Sequence, residues 1–117
     1  MTMLTAQVID GLYGRAASAV GTRLDRAADG DWENISHSRT DDCGTIRDWN
    51  AGPLLWGVYR LTIDASGYFA GLGLSSAFPE VQVTFRAEEH DGLYQAHVVL
   101  APFSYSATVA VGVTPAD

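Results

Sequence analysis

The stretch LYQAHVVLAPFSYSATVAV, residues 93–111, places groups capable of chemistry at alternate positions of two predicted strands. Because side chains alternate between the two faces of a strand, Gln95 and His97 share one face of the first strand. Ser106 and Thr108 share one face of the second strand by the same rule. An imidazole can transfer protons near neutral pH, whereas amides and hydroxyls can orient a ligand through hydrogen bonds. The spacing therefore indicates a polar surface that contains one candidate acid or base.

The face that carries His97 is only half polar, because Leu93 and Val99 lie on it as well. The opposite face of the same strand carries only apolar or aromatic side chains: Tyr94, Ala96, Val98 and Leu100. We expect this continuously apolar face to pack against the core. A mixed outward surface is more typical of an interface or a binding channel than of a face in bulk water.

The remaining residues with metal-ligating or nucleophilic side chains form no recognisable motif. His90 is predicted to be a solvated turn residue, and His37 is predicted to lie on the solvated face of its strand. Asp41 and Asp42 are better interpreted as turn residues than as a catalytic pair. Cys43 is the single cysteine, which excludes an intrachain disulfide. The sequence therefore predicts no metal and no cofactor.

Length and charge limit the possible partners. The 117 residues suit one domain, with a core of about residues 4–111 and a tail at 112–117. The net charge of −7, with arginine as the only strongly basic residue type, argues against nucleic acid and anionic membranes as partners. No apolar run reaches the ~20 residues that span a bilayer, and no secretory signal begins the chain. We therefore expect a soluble, cytoplasmic protein.

Most of the chain has the period of β-strands, with turn signals at steady spacing. One short helix is predicted within residues 65–74, closed by Gly73. The predicted strands are residues 4–10, 20–26, 32–40, 45–49, 56–64, 80–87, 93–101 and 104–112. This pattern predicts an all-β sandwich.

Four stretches resemble the family of 5-hydroxyisourate hydrolase and transthyretin: LTAQVIDGLYGRAA, TDDCGTI, YRLTIDASGYFAGLGLSSAFPEVQVTF and LYQAHVVLAPFSYS. The resemblance covers about residues 4–111. It implies a transthyretin-like sandwich of two four-stranded sheets with one short helix. It also implies a homotetramer, a dimer of dimers, whose central channel is lined by the outward face of the 93–111 hairpin.

The catalytic residues of the hydrolases do not carry over to this chain. Gln7 and Gln95 stand where the hydrolases have histidines, and Thr45 stands where they have an arginine. Their closing Tyr-Arg-Gly-Ser corresponds here to residues 108–111, Thr-Val-Ala-Val, which is closer to transthyretin. Since glutamine cannot accept a proton from water near neutral pH, the sequence predicts no enzymatic hydrolysis of 5-hydroxyisourate.

Two reactive groups lie two residues away from positions that the hydrolases use. His97 follows Gln95 on the same strand face, and Arg47 follows Thr45. A shift of two residues is ~6.6 Å along a strand, which would place both groups at a new depth of the same channel. We therefore predict His97 and Arg47 as catalytic residues. The predicted ligand-binding residues are Gln7, Ile9, Thr45, Gln95, Val99, Ser106 and Thr108.

Three functions fit these residues. The first is a repurposed enzyme that opens or closes the ring of a small cyclic molecule by acid–base catalysis. The second is a carrier that binds an apolar or aromatic ligand, and the third is a structural remnant with an unused channel. The alternative to a catalytic role is that His97 only forms hydrogen bonds across the dimer–dimer interface and that Arg47 pairs with Asp48 or a surface acid. Trp49 and Trp56 either cover the ligand or pack on the edge of the sandwich.

Overall fold

A computed structural model describes residues 2–88 and 92–113, with the side chain of Val113 excluded. His90 and the end of the predicted tail lie outside these residues. The described ranges form nine strands and one helix: β1 (Thr2–Asp10), β2 (Arg15–Ala16), β3 (Gly21–Ala28), β4 (Asp31–Arg39), β5 (Thr45–Ile46), β6 (Gly57–Ile63), α1 (Ala65–Ala70), β7 (Val81–Ala87), β8 (Gly92–Ala101) and β9 (Ser104–Val113). No helix within them is long and apolar enough to span a membrane.

The strands form two sheets, as the sequence predicts. The first sheet has the order β2-β1-β8-β9, with β5 also paired to β1, and the second has the order β4-β3-β6-β7. The first sheet has five strands rather than four, because the short strands β2 and β5 both pair with β1. Strand β5 stops at Ile46, so the predicted strand over residues 45–49 is too long. The sandwich architecture itself is confirmed.

The core lies between the sheets and is built from alternate residues of each strand. In β8 the buried residues are Tyr94, Ala96, Val98 and Leu100, which confirms the predicted inward face. Trp49 is also buried, and its indole N–H donates to the carbonyl of Leu4 at 3.0 Å. Trp49 therefore packs on the sandwich edge, whereas Trp56 is 63% exposed.

Helix α1 is shorter than predicted. It begins after Asp64, whose carboxylate accepts a hydrogen bond from the backbone N–H of Gly67 at 2.9 Å. It ends at Ala70 rather than continuing to Gly73, which adopts a positive φ of +74° in the turn that follows. On this helix Tyr68 donates from its hydroxyl to the fully buried Asp10 at 2.6 Å and so ties the helix to the end of β1.

The outer face of the second sheet holds a buried charge cluster around Asp25, which is 3% exposed. Its Oδ2 accepts from Arg23 Nε at 3.0 Å and from Arg60 Nη2 at 3.2 Å. Its Oδ1 accepts from Asn34 Nδ2 at 3.1 Å. Burial alone raises the pKa of Asp25, but these hydrogen bonds together lower it below its ordinary value. Arg60 also lies over the ring of Trp32, 4.4 Å from its centroid.

This cluster predicts a pH-dependent contribution to stability. A carboxyl whose pKa is lower in the folded protein stabilises the fold above its unfolded pKa of ~3.9, and the contribution is lost as pH falls through the folded pKa. We expect Asp25→Asn to lower the free energy of unfolding by about 1–2 kcal/mol at pH 7. Urea unfolding at pH 7, 5, 4 and 3 measures the gap between the two proteins. The gap should shrink below pH 4, and a constant gap would contradict this role.

Candidate functional site

A row of four polar side chains crosses the first sheet on its outer face. Thr45 of β5 pairs with Gln7 of β1, Gln7 pairs with His97 of β8, and His97 pairs with Thr108 of β9. We call these four residues the central row. Neighbouring strands are ~4.8 Å apart, so each member lies within reach of the next. The central row therefore places the amide of Gln7 on one side of the His97 imidazole and the hydroxyl of Thr108 on the other. Among the residues that the structure describes, His97 is the only histidine on this face.

Two flanking rows complete this face. On one side Ile9 pairs with Val99, and Val99 pairs with Ser106. On the other side Thr5 pairs with Gln95, and Arg47 lies one residue beyond the end of β5. The structure thus brings eight of the nine predicted site residues together on one sheet face, and the ninth, Arg47, lies beside them. Thr5 also belongs to this face and was missed, although the alternation of β1 with Gln7 and Ile9 could have identified it.

The turn before β5 positions Thr45. One oxygen of Asp41 accepts hydrogen bonds from the backbone N–H groups of Cys43 and Thr45, both at 2.9 Å. Gly44 adopts a positive φ of +73°, and its carbonyl accepts a hydrogen bond from Val8 at 2.7 Å. This turn holds the chain against β1, and Thr45 follows directly opposite Gln7. The predicted turn role of Asp41 is therefore confirmed.

A cavity of about 220 Å³ opens between β5, β1 and β8. We call it the first-sheet cavity; its lining side chains include Thr5, Gln7, Thr45, Arg47, Gln95 and His97. Within residues 2–88 and 92–113, the side chains of Gln7, Gln95 and His97 have no hydrogen-bond partner, and Arg47 forms no ion pair. The neighbouring Asp48 instead accepts from the backbone N–H of Asn50 at 2.8 Å. The polar groups of this cavity are therefore available to a ligand.

The sheet around the central row has an apolar border and a free edge. Met3 is 42% exposed and Val99 is 38% exposed on the same face. In the described part of the chain, β9 pairs with β8 alone, so its other edge has unpaired backbone groups. Tyr105 and Val111, both on β9, are 48% and 53% exposed. Such an edge is typical of strands that pair with a second chain.

An imidazole and a guanidinium are the groups beside the first-sheet cavity that are suited to chemistry. Across the residues that the structure describes, no group of three or more His, Cys, Asp or Glu side chains converges on one point. Cys43 is free and exposed in the turn before β5. His97 is the group on this face suited to proton transfer, and Arg47 is the group suited to binding an anion or a carbonyl oxygen.

Comparison with known protein families matches residues 4–108 of the chain. The matching family is described as the HIUase/Transthyretin family. The match spans β1 to β9, and so it includes all the strands that build the central row and the first-sheet cavity.

Proposed function

Because the chain belongs to the HIUase/Transthyretin family, we propose that it is a repurposed enzyme of that family. It acts on a small cyclic organic molecule, such as a lactone, a lactam or an imine, and opens or closes the ring by acid–base catalysis. The observation that carries this proposal is the unpartnered imidazole of His97 in the central row, beside a cavity that Arg47 also lines.

The residues of the first-sheet cavity suit this chemistry. In ring opening, His97 takes a proton from a water molecule that attacks the carbonyl or imine carbon, and the ring oxygen or nitrogen receives a proton as its bond to that carbon breaks. Ring closure is the reverse of these steps and releases water. Arg47 binds the carbonyl or carboxylate oxygen on which negative charge develops, because a guanidinium always carries charge and offers several donors. Gln7, Thr45 and Gln95 orient the ring by hydrogen bonds.

The proposal includes a homotetramer, a dimer of dimers, in which the central row faces a channel shared between subunits. Support comes from the free edge of β9 and from the exposed apolar side chains of Met3 and Val99 on the face of the central row. Ile9, Val99, Ser106 and Thr108 then form the channel wall beside the catalytic pair. We also propose a cytoplasmic location, which suits the exposed free thiol of Cys43.

A carrier function is the second candidate. The apolar part of the same face, where Ile9 pairs with Val99, favours an apolar or aromatic ligand. In a carrier, His97 and Arg47 would contribute hydrogen bonds without chemistry. The two candidates differ in whether any bound molecule is converted.

Two assays on the wild-type protein test the proposal. Freshly generated 5-hydroxyisourate, followed by its ultraviolet absorbance, should decay at its uncatalysed rate, because Gln7 and Gln95 cannot serve as general bases. A panel of lactones, lactams and cyclic imines, followed by proton release or absorbance, should contain compounds that the protein converts. Clear acceleration of hydroxyisourate decay would contradict the proposed change of substrate. Saturable binding of aromatic probes without conversion of any panel member would favour the carrier.

A further inference from the structure

The outer face of the second sheet holds a separate cavity of about 420 Å³. We call it the second-sheet cavity. Two rows of paired residues cross it, one from Arg39 to Gly21 and one from His37 through Arg23 to Thr62. Its lining residues are Gly21, Thr22, Arg23, His37, Ser38, Arg39, Thr62, Asp64 and Glu80. It lies on the opposite sheet from the central row and shares no residue with the first-sheet cavity.

Gly21 leaves the floor of the second-sheet cavity open. It lies on β3 between Arg39 of β4 and Asp64, whose backbone N–H donates to the carbonyl of Gly21 at 2.9 Å. The nearest atom that a Cβ at this position would meet is Asp64 Cβ, at 3.8 Å. The cavity is therefore a gap in which a side chain would fit.

Thr62 lines this cavity, and its side-chain hydroxyl is buried without a partner among the described residues. Thr62 is 6% exposed, and its Oγ1 is buried with no hydrogen bond to any residue that the structure describes. A buried hydroxyl that lacks a partner costs about 1–3 kcal/mol of desolvation, and such groups are rare in folded proteins. Rotation of the Thr62 side chain about its Cα–Cβ bond would turn the hydroxyl toward a ligand in the second-sheet cavity, and the ligand would then satisfy it.

Side chains of opposite charge line the cavity and form no ion pair across it in the described ranges. On the β3 and β4 side, Arg23 binds Asp25 through Nε alone, and Arg39 donates to the carbonyl of Ala19 through Nη1 alone. The remaining nitrogen atoms of both guanidinium groups have no recorded partner in the described ranges. The basic side therefore offers donors that suit a carboxylate.

The acidic side offers acceptors in the same way. Asp64 uses Oδ1 for the backbone of Gly67, and Glu80 uses Oε1 for Gln82. In the part of the chain that the structure describes, neither acid forms an ion pair with either arginine. The second-sheet cavity thus presents two cations on one side and two carboxylates on the other, with a net charge near zero.

We propose that the second-sheet cavity binds a small zwitterion of about dipeptide size. Its carboxylate lies on the arginine side, its ammonium group lies on the side of Asp64 and Glu80, and a polar atom between them bonds to Thr62. Of the two acids, Glu80 directly precedes β7, which is two strand spacings or ~10 Å from β3, and a dipeptide spans more of this width than a single α-amino acid does. A second residue adds ~3.5 Å of chain and brings the two ends closer to their partners.

Glycylglycine is the probe, and NMR of the ¹⁵N-labelled protein is the measurement. We expect saturable shifts of the backbone amides of Gly21, Arg23 and Thr62, with a dissociation constant in the millimolar range or below. Glycylglycinamide lacks the carboxylate and N-acetylglycylglycine lacks the ammonium group, so each should bind at least about fivefold more weakly. Equal binding of all three compounds, or no saturable shift with glycylglycine, would overturn the proposal.

Two variants separate binding from folding. Thr62→Val keeps the shape of the side chain and removes the unpartnered hydroxyl, so we expect unchanged or higher thermal stability and at least about fivefold weaker binding. Gly21→Val fills the gap at a strand position that favours a β-branched residue, so binding should be lost in a folded protein. Arg86→Gln, at an exposed position of β7, is the control and should bind as the wild type does. Undiminished binding by folded Thr62→Val and Gly21→Val would refute the site.

Discussion

Replacing His97 by asparagine should lower kcat at least about a hundredfold for the panel compound that the wild type converts fastest, because positioned proton transfer contributes typically 10²–10⁴-fold. Asparagine retains hydrogen-bonding capacity next to Gln7 and Thr108 but cannot accept or release a proton near neutral pH. KM should stay within about threefold, since the ligand contacts of the neighbouring strands remain. Steady-state kinetics on the purified variant measure both quantities.

Two comparisons make the result on His97 specific. Thr84→Ala changes an exposed strand residue of the second sheet and should leave kcat and KM unchanged. Arg47→Gln should raise KM and lower kcat, because it removes a charge from the first-sheet cavity while the imidazole stays. If His97→Asn kept its kcat and only lost affinity, the residue would serve binding alone, and the carrier function would be favoured.

Replacing Gly44 by alanine should destabilise the protein by about 2–5 kcal/mol, from two sources that add. Its φ of +73° is in the left-handed region, which costs a residue with a Cβ roughly 1–2 kcal/mol. A Cβ at this position would lie 2.5 Å from the carbonyl oxygen of Val8, and relieving such a contact costs roughly 1–3 kcal/mol. Urea unfolding monitored by tryptophan fluorescence gives the difference in the free energy of unfolding.

Gly73→Ala provides a control for the cost of the backbone conformation. Gly73 has nearly the same φ, +74°, but a Cβ there would meet no atom within 4 Å. Its substitution should therefore cost only the roughly 1–2 kcal/mol of the left-handed conformation. Equal losses for the two variants would contradict the view that close contact with β1 makes Gly44 necessary. Because Gly44 also holds Thr45 opposite Gln7, we expect only the Gly44 variant to weaken ligand binding at the central row.

The inward face of β8 could be predicted from the sequence because its residues are continuously apolar. Tyr94 and Val98 on β8 show this, since burying the other face would have placed Gln95 and His97 in the core. The pairing of Gln7 with His97 could not be predicted in this way. It depends on β1 lying parallel to a strand near the other end of the chain, and such long-range pairing is set by tertiary packing.

The alternation of residues along a strand also could not predict local irregularities such as β-bulges. Ile35 and His37 are two residues apart, so a regular strand would place them on one face. A register shift in the pairing of β3 with β4 leaves Ile35 as an extra residue of a bulge. Ile35 therefore packs against the core while His37 is exposed. This confirms the predicted solvated position of His37. The charge cluster around Asp25 depends on the same bulge, which brings Asn34 opposite Asp25.

A crystal structure of the assembled protein is the measurement that bears most directly on the proposed catalytic face. The account predicts a dimer of dimers: two copies pair through the edges of β9, and two such dimers face each other across a channel into which His97 and Arg47 of each copy are directed. A monomer, or an oligomer in which the central row lies against bulk solvent, would contradict it, because the first sheet alone offers too shallow a surface to exclude water from a reacting ring.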